Sequence, residues 1–152
     1  MQINISQVNK SDLETILSLQ KKCYLAEAEL YNDFTIQPLQ QDLLSLENEF
    51  ENSIILKYEI NGAIIGSIRG YIENGIVYIG KLFVKNDFQN KGIGSELLKA
   101  IESQFNDAQR FELFTGYKSQ KNLYLYKKQG YKEFKQQTIS DTIVLLYLEK
   151  KK

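Results

Sequence analysis

Two Asn-Gly dipeptides in the middle of the chain constrain the fold more than any other feature of the sequence. Asn61-Gly62 separates the apolar segments 54–60 and 63–72, and Asn74-Gly75 separates the second segment from the run 76–84. Asn-Gly is the preferred pair for a two-residue hairpin turn, because both central residues of that turn have positive φ. The three segments are therefore predicted to form an antiparallel meander.

The chain after the meander alternates between helix and strand. Apolar residues recur at helical spacing from Ile93 to about Phe105, which predicts an amphipathic helix. Residues 110–115 form a short strand after it, and the unbroken apolar run 76–84 before it is typical of a strand buried on both faces. A strand, a helix and a strand of these lengths predict a right-handed crossover between two parallel strands.

The N-terminal third supplies one strand and two helices. Residues 2–8 alternate between apolar and polar side chains, which predicts a strand. Ser11-Asp12-Leu13-Glu14 has the pattern of a capping box, and the apolar spacing after it predicts a helix to about residue 28. Pro38 suits the start of a second helix, with an apolar stripe from Leu39 to Phe50.

The C-terminal third predicts a last helix and two strands. Ser119 is expected to cap the start of the helix. Lys127 and Lys128 would stabilise the negative, C-terminal end of its dipole, and Gly130 is typical of the residue that ends a helix. Residues 131–137 and 142–149 are expected to pair as antiparallel strands. The predicted order is one strand, two helices, three antiparallel strands, a helix, a strand, a helix and two strands.

The segment Gln89-Asn90-Lys91-Gly92-Ile93-Gly94 lies between the meander and the next helix. Free backbone N–H groups and the positive end of the helix dipole meet there, which predicts an anion site for a phosphate. Gly92 and Gly94 lack a Cβ, so a diphosphate can approach the backbone closely and the loop can adopt positive φ. The alternative is that both glycines serve only the geometry of the turn.

Two motifs resemble signatures of the GNAT superfamily of acyl-CoA-dependent N-acetyltransferases. The segment from Gln89 to Gly94 matches the family's pyrophosphate loop, Gln/Arg-x-x-Gly-x-Gly/Ala. The segment 122–131 resembles its C-terminal signature, an asparagine, then Leu-Tyr, a few helical residues, and Gly-Phe or Gly-Tyr. The predicted order of elements is also that of the GNAT fold, so the resemblance covers the whole chain.

The resemblance implies a fold and a cofactor. The fold is a single domain over residues 1–152 of the α/β (α+β) class, with a central mixed, mostly antiparallel sheet of about seven strands. The sheet is splayed between its fourth and fifth strands and flanked by four helices, and the cofactor is acetyl-CoA. The residues expected to bind the cofactor are Leu82, Phe83 and Val84 along the pantetheine arm, Gln89, Asn90, Lys91, Gly92, Ile93, Gly94 and Ser95 at the pyrophosphate, and Asn122 on the facing helix.

The implied reaction is transfer of an acetyl group from the thioester to a primary amine of an unidentified acceptor. Tyr126 matches the family's tyrosine that donates a proton to the departing thiolate, and it is the catalytic candidate. The alternative is that Tyr126 is only a core aromatic residue.

The sequence says less about the residues that bind and activate the acceptor than about those that bind the cofactor. Family members with a glutamate on the central strand would have it at the position of Tyr78, so the general base stays unassigned. Carboxylates between the first two helices, beside the expected acceptor opening, favour a cationic amine. The substrate-binding candidates are Glu27, Glu29, Asp33 and Tyr78.

Composition excludes several classes of function. The chain has no histidine, which removes Ser/His/Asp and Cys/His hydrolase sites and histidine zinc sites. Cys23 is the only cysteine, so no internal disulfide and no thiolate metal cluster is possible, and no metal site is predicted. The 19 basic and 19 acidic residues cancel, so no overall field would attract nucleic acid.

The sequence also leaves alternatives open. It carries no signal-peptide pattern and no apolar stretch of membrane-spanning length, so a cytoplasmic protein without a membrane partner is expected. A monomer or a homodimer would fit. The second candidate function is a module that senses acetyl-CoA without turnover. A phosphate-binding module for nucleotides is disfavoured, because the phosphate-loop pattern Gly-x-x-x-x-Gly-Lys-Ser/Thr is absent.

Overall fold

The computed structural model describes residues 1–152 and consists of one seven-stranded sheet with helices on both faces. The spatial order of the strands is β1-β2-β3-β4-β5-β7-β6. The strands are β1 (Ile3–Gln7), β2 (Ile54–Ile60), β3 (Ala63–Glu73), β4 (Ile76–Val84), β5 (Arg110–Gly116), β6 (Lys132–Thr138) and β7 (Val144–Lys151). The helices are α1 (Leu13–Tyr31), α2 (Gln37–Gln40), α3 (Leu43–Asn52), α4 (Ile93–Ser103) and α5 (Gln120–Lys128).

The predicted meander of β2, β3 and β4 is confirmed. Asn61 and Gly62 have φ of 52° and 83°, and Asn74 and Gly75 have φ of 54° and 81°. Both turns therefore have the positive φ pair that a two-residue hairpin requires. The three strands pair antiparallel along the whole of their lengths, apart from one irregularity in each pair.

The predicted parallel pair and its splay are also confirmed. β4 and β5 pair in parallel over only three positions, Ile76–Tyr78 against Arg110–Glu112. Beyond Tyr78 the two strands have no further pairing, although β4 continues to Val84. β4 also contains Lys81 at φ 54°, where its register against β3 shifts. The C-terminal half of β4 is therefore free on the side that faces β5.

The start of the first helix differs from the prediction. A short 3-10 turn, Lys10–Asp12, precedes α1, and the carboxylate of Asp12 accepts a hydrogen bond from the Asn9 N–H at 2.8 Å. The reciprocal capping pattern therefore begins at Asn9, two residues before the predicted Ser11. α1 also extends to Tyr31 rather than to residue 28, and Asn32 ends it in the left-handed conformation with φ 48°.

The predicted second helix is two helices, which makes five helices in place of four. α2 ends at Gln40, and Asp42 begins α3 with its side chain accepting a hydrogen bond from Ser45 N–H at 2.9 Å. An aspartate in this position satisfies one of the free N–H groups of a first helical turn. The apolar stripe from Leu39 to Phe50 therefore continues across a break in the helix.

Apolar side chains pack on both faces of the sheet. The larger cluster lies beneath α4, where Leu97, Leu98 and Ile101 are fully buried. The smaller cluster joins α1 and α3 to the opposite face, with Ile16 and Leu46 fully buried. No helix is both long enough and apolar enough to cross a membrane.

The cap of α3 gives a prediction about stability. Asp42→Ala removes the acceptor of the Ser45 N–H and is expected to lower the free energy of unfolding by about 0.5–2 kcal/mol. In a chain of this size each kcal/mol lowers the melting temperature by roughly 2–4 °C. Asp42→Ser keeps an acceptor at the cap and should melt close to the unaltered protein. Equal losses in the two variants would show that the cap does not stabilise α3.

Candidate functional site

The splay between β4 and β5 opens into a cleft with a volume of about 840 Å³. Its walls are the C-terminal half of α1, the end of β4, the loop before α4 together with the first turn of α4, and one face of α5, the helix that follows β5. Clefts at the point where strands of a sheet separate are common ligand sites. The sequence-predicted motifs lie on these walls.

The loop before α4 presents a row of unpaired backbone donors. The N–H groups of residues 90–95 donate no hydrogen bond to any protein atom, and the first helical bond of α4 is Glu96 N–H to Gly92 at 3.1 Å. Asn90 and Gly92 have φ of 63° and 82°, which turns the chain into the helix. Free N–H groups at the positive end of a helix dipole form an anion site.

The two glycines of the loop have different roles. A Cβ on Gly92 would meet no atom within 4 Å, so this residue is glycine because of its positive φ. Gly94 has ordinary backbone geometry, and a Cβ there would lie 3.2 Å from Leu125 of α5. Gly94 therefore allows α4 and α5 to pack closely, a role in packing that the sequence did not predict.

The free edge of β4 is partly satisfied by side chains. Leu82, Phe83 and Val84, the residues expected along the pantetheine arm, line the cleft. The Val84 carbonyl accepts a hydrogen bond from Gln89 Nε2 at 3.0 Å, and the Leu82 carbonyl lies 3.5 Å from the hydroxyl of Tyr24. The side chain of Gln89, the first residue of the loop motif, therefore folds back and gives the Val84 carbonyl a partner.

Most of the remaining cofactor candidates also line the cleft. Gln89, Asn90, Ile93 and Ser95 do so on the loop side. Asn122 does so on α5, where its amide donates to Thr115 Oγ1 at 3.2 Å and fixes α5 against the end of β5. Lys91 is exposed and is absent from the lining of the cleft.

Tyr126 lies at the edge of the cleft rather than in its lining. It is 7% exposed, and its ring packs 6.2 Å from that of Tyr131. The hydroxyl of Tyr126 makes no hydrogen bond to the protein. It is not among the fully buried polar side-chain atoms without a partner, which are Arg69 Nε and Arg110 Nε, so it retains some accessible surface. Burial raises the pKa of Tyr126, and the nearby charge of Glu27 raises it further. The hydroxyl therefore stays protonated near neutral pH.

The structure separates the four acceptor-side candidates. Only Glu27 lines the cleft, where it accepts a hydrogen bond from Ser119 Oγ at 2.6 Å. Glu29 is exposed on another face of α1, because side chains two positions apart on a helix point in directions that differ by about 200°. Asp33 binds Thr35 and Thr142 outside the cleft, and Tyr78 stacks on Tyr71 with ring centroids 5.2 Å apart.

Several residues of the cleft were not predicted. Tyr24 shares one face of α1 with the predicted candidate Glu27 and with Tyr31, at helical spacings of three and four residues, and this spacing was the available signal. Tyr124 lines the cleft while 70% exposed, with Lys128 Nζ 5.8 Å from its ring. It lies two positions from Tyr126 on the same helix, so the two side chains project from different sides of α5.

Comparison with known proteins agrees with this geometry. Residues 21–152 match the acetyltransferase (GNAT) domain family. The chain is 28% identical over 118 residues, 78% of its length, to the UPF0157 protein YqkA of Bacillus subtilis, and it spans about a third (34%) of that relative.

Solved structures share the fold at low sequence identity. The PaiA N-acetyltransferase of Thermoplasma acidophilum in complex with coenzyme A superimposes with a TM-score of 0.79 at 19% identity, covering 100% of both chains. The YncA protein of Salmonella typhimurium, a putative acetyltransferase with acetyl-CoA, superimposes with a TM-score of 0.77 at 15% identity, covering 99% of this chain and 94% of that one. The family match, which spans most of the chain, shows that the protein belongs to the GNAT acetyltransferase domain family.

Proposed function

We propose that the protein transfers an acetyl group from acetyl-CoA to a primary amine. The observation that carries this proposal is the row of free N–H groups at residues 90–95, at one end of a cleft whose other end holds Glu27 and approaches Tyr126. A long anionic cofactor fits the first end, and an amine fits the second. Membership of the GNAT family and the coenzyme A complexes of its structural neighbours support this reading.

The residues of the cleft fit coenzyme A by their chemistry. The N–H groups of residues 90–95 would bind the diphosphate, and the free edge of β4 near Leu82 and Phe83 would hold the pantetheine arm. Lys121 and Lys128 also line the cleft and add positive charge on α5. When bound, acetyl-CoA supplies the activated thioester, and the chain orients it and moves the protons.

Tyr126 is proposed to donate a proton to the departing sulfur. An acid must be protonated before it can act, and burial and Glu27 both keep the hydroxyl in that form. Its hydroxyl has no protein partner, so it is free to donate. Asn122, one turn earlier on α5, lines the cleft and places this face of the helix beside the cofactor path.

The loop gives a prediction about cofactor binding. Acetyl-CoA at about 100 times its dissociation constant should stabilise the fold by about 2.7 kcal/mol. Each kcal/mol raises the melting temperature by roughly 2–4 °C. Gly92→Val should remove most of this shift, because valine cannot hold φ 82° and the row of N–H groups loses its shape.

The matched control for this experiment is Gly62→Val. Gly62 has φ 83°, and a Cβ there also meets no atom within 4 Å, but it lies in the β2–β3 turn outside the cleft. Both variants should lose stability without ligand, and only Gly92→Val should lose the acetyl-CoA shift. A full shift in Gly92→Val would show that the cofactor does not bind this loop. Gly94 is unsuitable, because its substitution would also disturb Leu125.

The proposed proton donor, Tyr126, gives a prediction about turnover. Tyr126→Phe keeps the ring, so folding and the acetyl-CoA melting shift should persist. Turnover, measured as free thiol release with the best amine of a broad panel, should fall by about 10²–10⁴-fold. Tyr147→Phe is the control, because Tyr147 lies on β7, outside the cleft, with its hydroxyl donating to Gln137 at 2.8 Å.

The same assay separates the enzyme from the sensor. Normal turnover in Tyr126→Phe would remove this tyrosine from the reaction and leave water as the proton source. Acetyl-CoA binding without thiol release, across polyamines, amino acids, aminoglycosides and peptide N-termini, would contradict the proposed transfer and favour a module that senses acetyl-CoA.

A further inference from the structure

A directed chain of hydrogen bonds crosses the acceptor end of the cleft and ends on Glu27. The Lys118 N–H donates to the Tyr31 hydroxyl at 3.0 Å, the Tyr31 and Ser119 hydroxyls lie 2.7 Å apart, and Ser119 Oγ donates to Glu27 Oε2 at 2.6 Å. A hydroxyl has one hydrogen, and that of Ser119 goes to the carboxylate. Tyr31 must therefore be the donor to Ser119, and every bond of the chain points towards Glu27.

The backbone of β5 makes room for this chain. A Cβ on Gly116 would lie 1.9 Å from the Tyr31 hydroxyl, so no other residue at that position leaves Tyr31 in place. Tyr31 and Ser119 are 5% and 3% exposed, which fixes both hydroxyls. Ser119 begins α5 but makes no side-chain bond to the helix, because its hydroxyl is used for Glu27 instead.

The chain leaves half of the Glu27 carboxylate unused. Oε2 accepts the bond from Ser119, and no protein donor binds Oε1. No lysine or arginine lies within salt-bridge distance of Glu27, although eight other acidic side chains in the protein have such a partner. Glu27 is also the only acidic residue in the lining of the cleft. A carboxylate with one oxygen fixed and the other free in a cleft can accept a proton or bind a cation.

The groups that face Glu27 show where this free oxygen acts. Its charge contributes to the raised pKa of Tyr24, Tyr31 and Tyr126, so it lies close to the proposed acid. β4 presents only the apolar residues Leu82, Phe83 and Val84 to the cleft. The other titratable groups around it are Cys23, Tyr24 and Tyr31 on its own helix, Lys118 on the loop after β5, and Tyr126 on α5.

Of these groups, only Glu27 suits the role of a base. Burial raises the pKa of the Cys23 thiol and of the tyrosines, so all of them hold their protons near neutral pH. Lys118 carries a positive charge and cannot accept a proton in that form. The general base that the sequence left unassigned is therefore to be found on α1 and not on β4.

We infer that Glu27 accepts the proton of the acceptor amine through its free oxygen, and that Ser119 and Tyr31 are positioning residues that hold it. This inference rests on the proposed acetyl transfer. The ammonium group of the acceptor first loses one proton to solvent and becomes a neutral amine. The amine nitrogen then forms a bond to the thioester carbonyl carbon and gives one proton to Glu27, and the carbon–sulfur bond breaks as Tyr126 gives a proton to sulfur. Glu27 releases its proton and Tyr126 regains one through solvent, so both groups regain their starting forms.

The experiment measures turnover of the best amine of the panel by the unaltered protein and by a Glu27 variant. Glu27→Gln keeps the size of the side chain and an acceptor for Ser119, but it should lower kcat by about 10²–10⁴-fold. The acetyl-CoA melting shift should be unchanged. Glu29→Gln, an exposed change on the same helix, should behave like the unaltered protein.

A second variant tests the positioning role. Tyr31→Phe removes the donor to Ser119 and keeps the ring. Ser119 then lacks the partner that orients its hydroxyl towards Glu27, so kcat should fall while the acetyl-CoA melting shift is unchanged. The same change made together with Glu27→Gln should lower kcat no further, because the carboxylate that Tyr31 helps to position is already absent. A residue that only packed would lower kcat in both backgrounds.

The outcomes distinguish this inference from the function on which it rests. Turnover by the unaltered protein together with near-normal turnover in Glu27→Gln would overturn the inference and leave acetyl transfer standing. Acetyl-CoA binding without turnover of any amine in the panel would overturn both. An equal loss of kcat from Tyr31→Phe with and without Glu27→Gln, or no loss in either, would remove the hydrogen-bonded chain from the mechanism.

Discussion

The early end of pairing between β4 and β5 is the constraint on which the rest of the site depends. Three paired positions hold the two strands together, and after Tyr78 they separate. A sheet that stayed closed would satisfy its own backbone and leave no cleft. The crossover helix α4 begins beyond the end of β4, so its free N–H groups lie at the mouth of the opening. The splay and the row of free N–H groups are thus consequences of one topology.

A buried polar cluster fixes the position of α1, one wall of the cleft, relative to the sheet. Arg69 of β3 is 3% exposed and donates to Glu49 of α3 at 3.0 Å and to Gln41 at 3.3 Å, with Gln20 of α1 as a further partner. Burial lowers the pKa of Arg69, but Glu49 opposes this effect, and a guanidinium keeps its charge in proteins. Leaving that charge without its partners would be strongly unfavourable, so the cluster ties both helices to the sheet.

The features that the sequence predicted are those encoded locally. Each Asn-Gly turn needs only two residues to set its geometry, and the strand, loop and helix from β4 to α4 are contiguous, so the meander and the row of free N–H groups before α4 were both predictable. The break before α3 was not predicted, although Asp42 was a local signal for it, since a capping residue within an apolar stripe indicates a new helix start.

The features that the sequence did not predict depend on contacts between distant segments. Gly94 is explained only by Leu125, and Gly116 only by Tyr31, and neither pair can be recognised from spacing along the chain. The carboxylates of α1 show a different error. Proximity in sequence suggested one acidic group, whereas helical geometry turns Glu29 away from the side on which Glu27 lies.

The cleft has a charge separation that the composition of the chain conceals. The protein as a whole has a formal net charge of zero, yet the lining of the cleft contains Lys118, Lys121 and Lys128 and only one carboxylate, that of Glu27. The free N–H groups before α4 add partial positive charge at the cofactor end. In a cleft with low-dielectric walls, such an arrangement attracts a polyanion before it attracts a cation. In the proposed reaction, the phosphates of acetyl-CoA offset this positive charge, and the Glu27 carboxylate attracts the acceptor amine in its ammonium form. The proposal therefore expects the cofactor to bind before the amine.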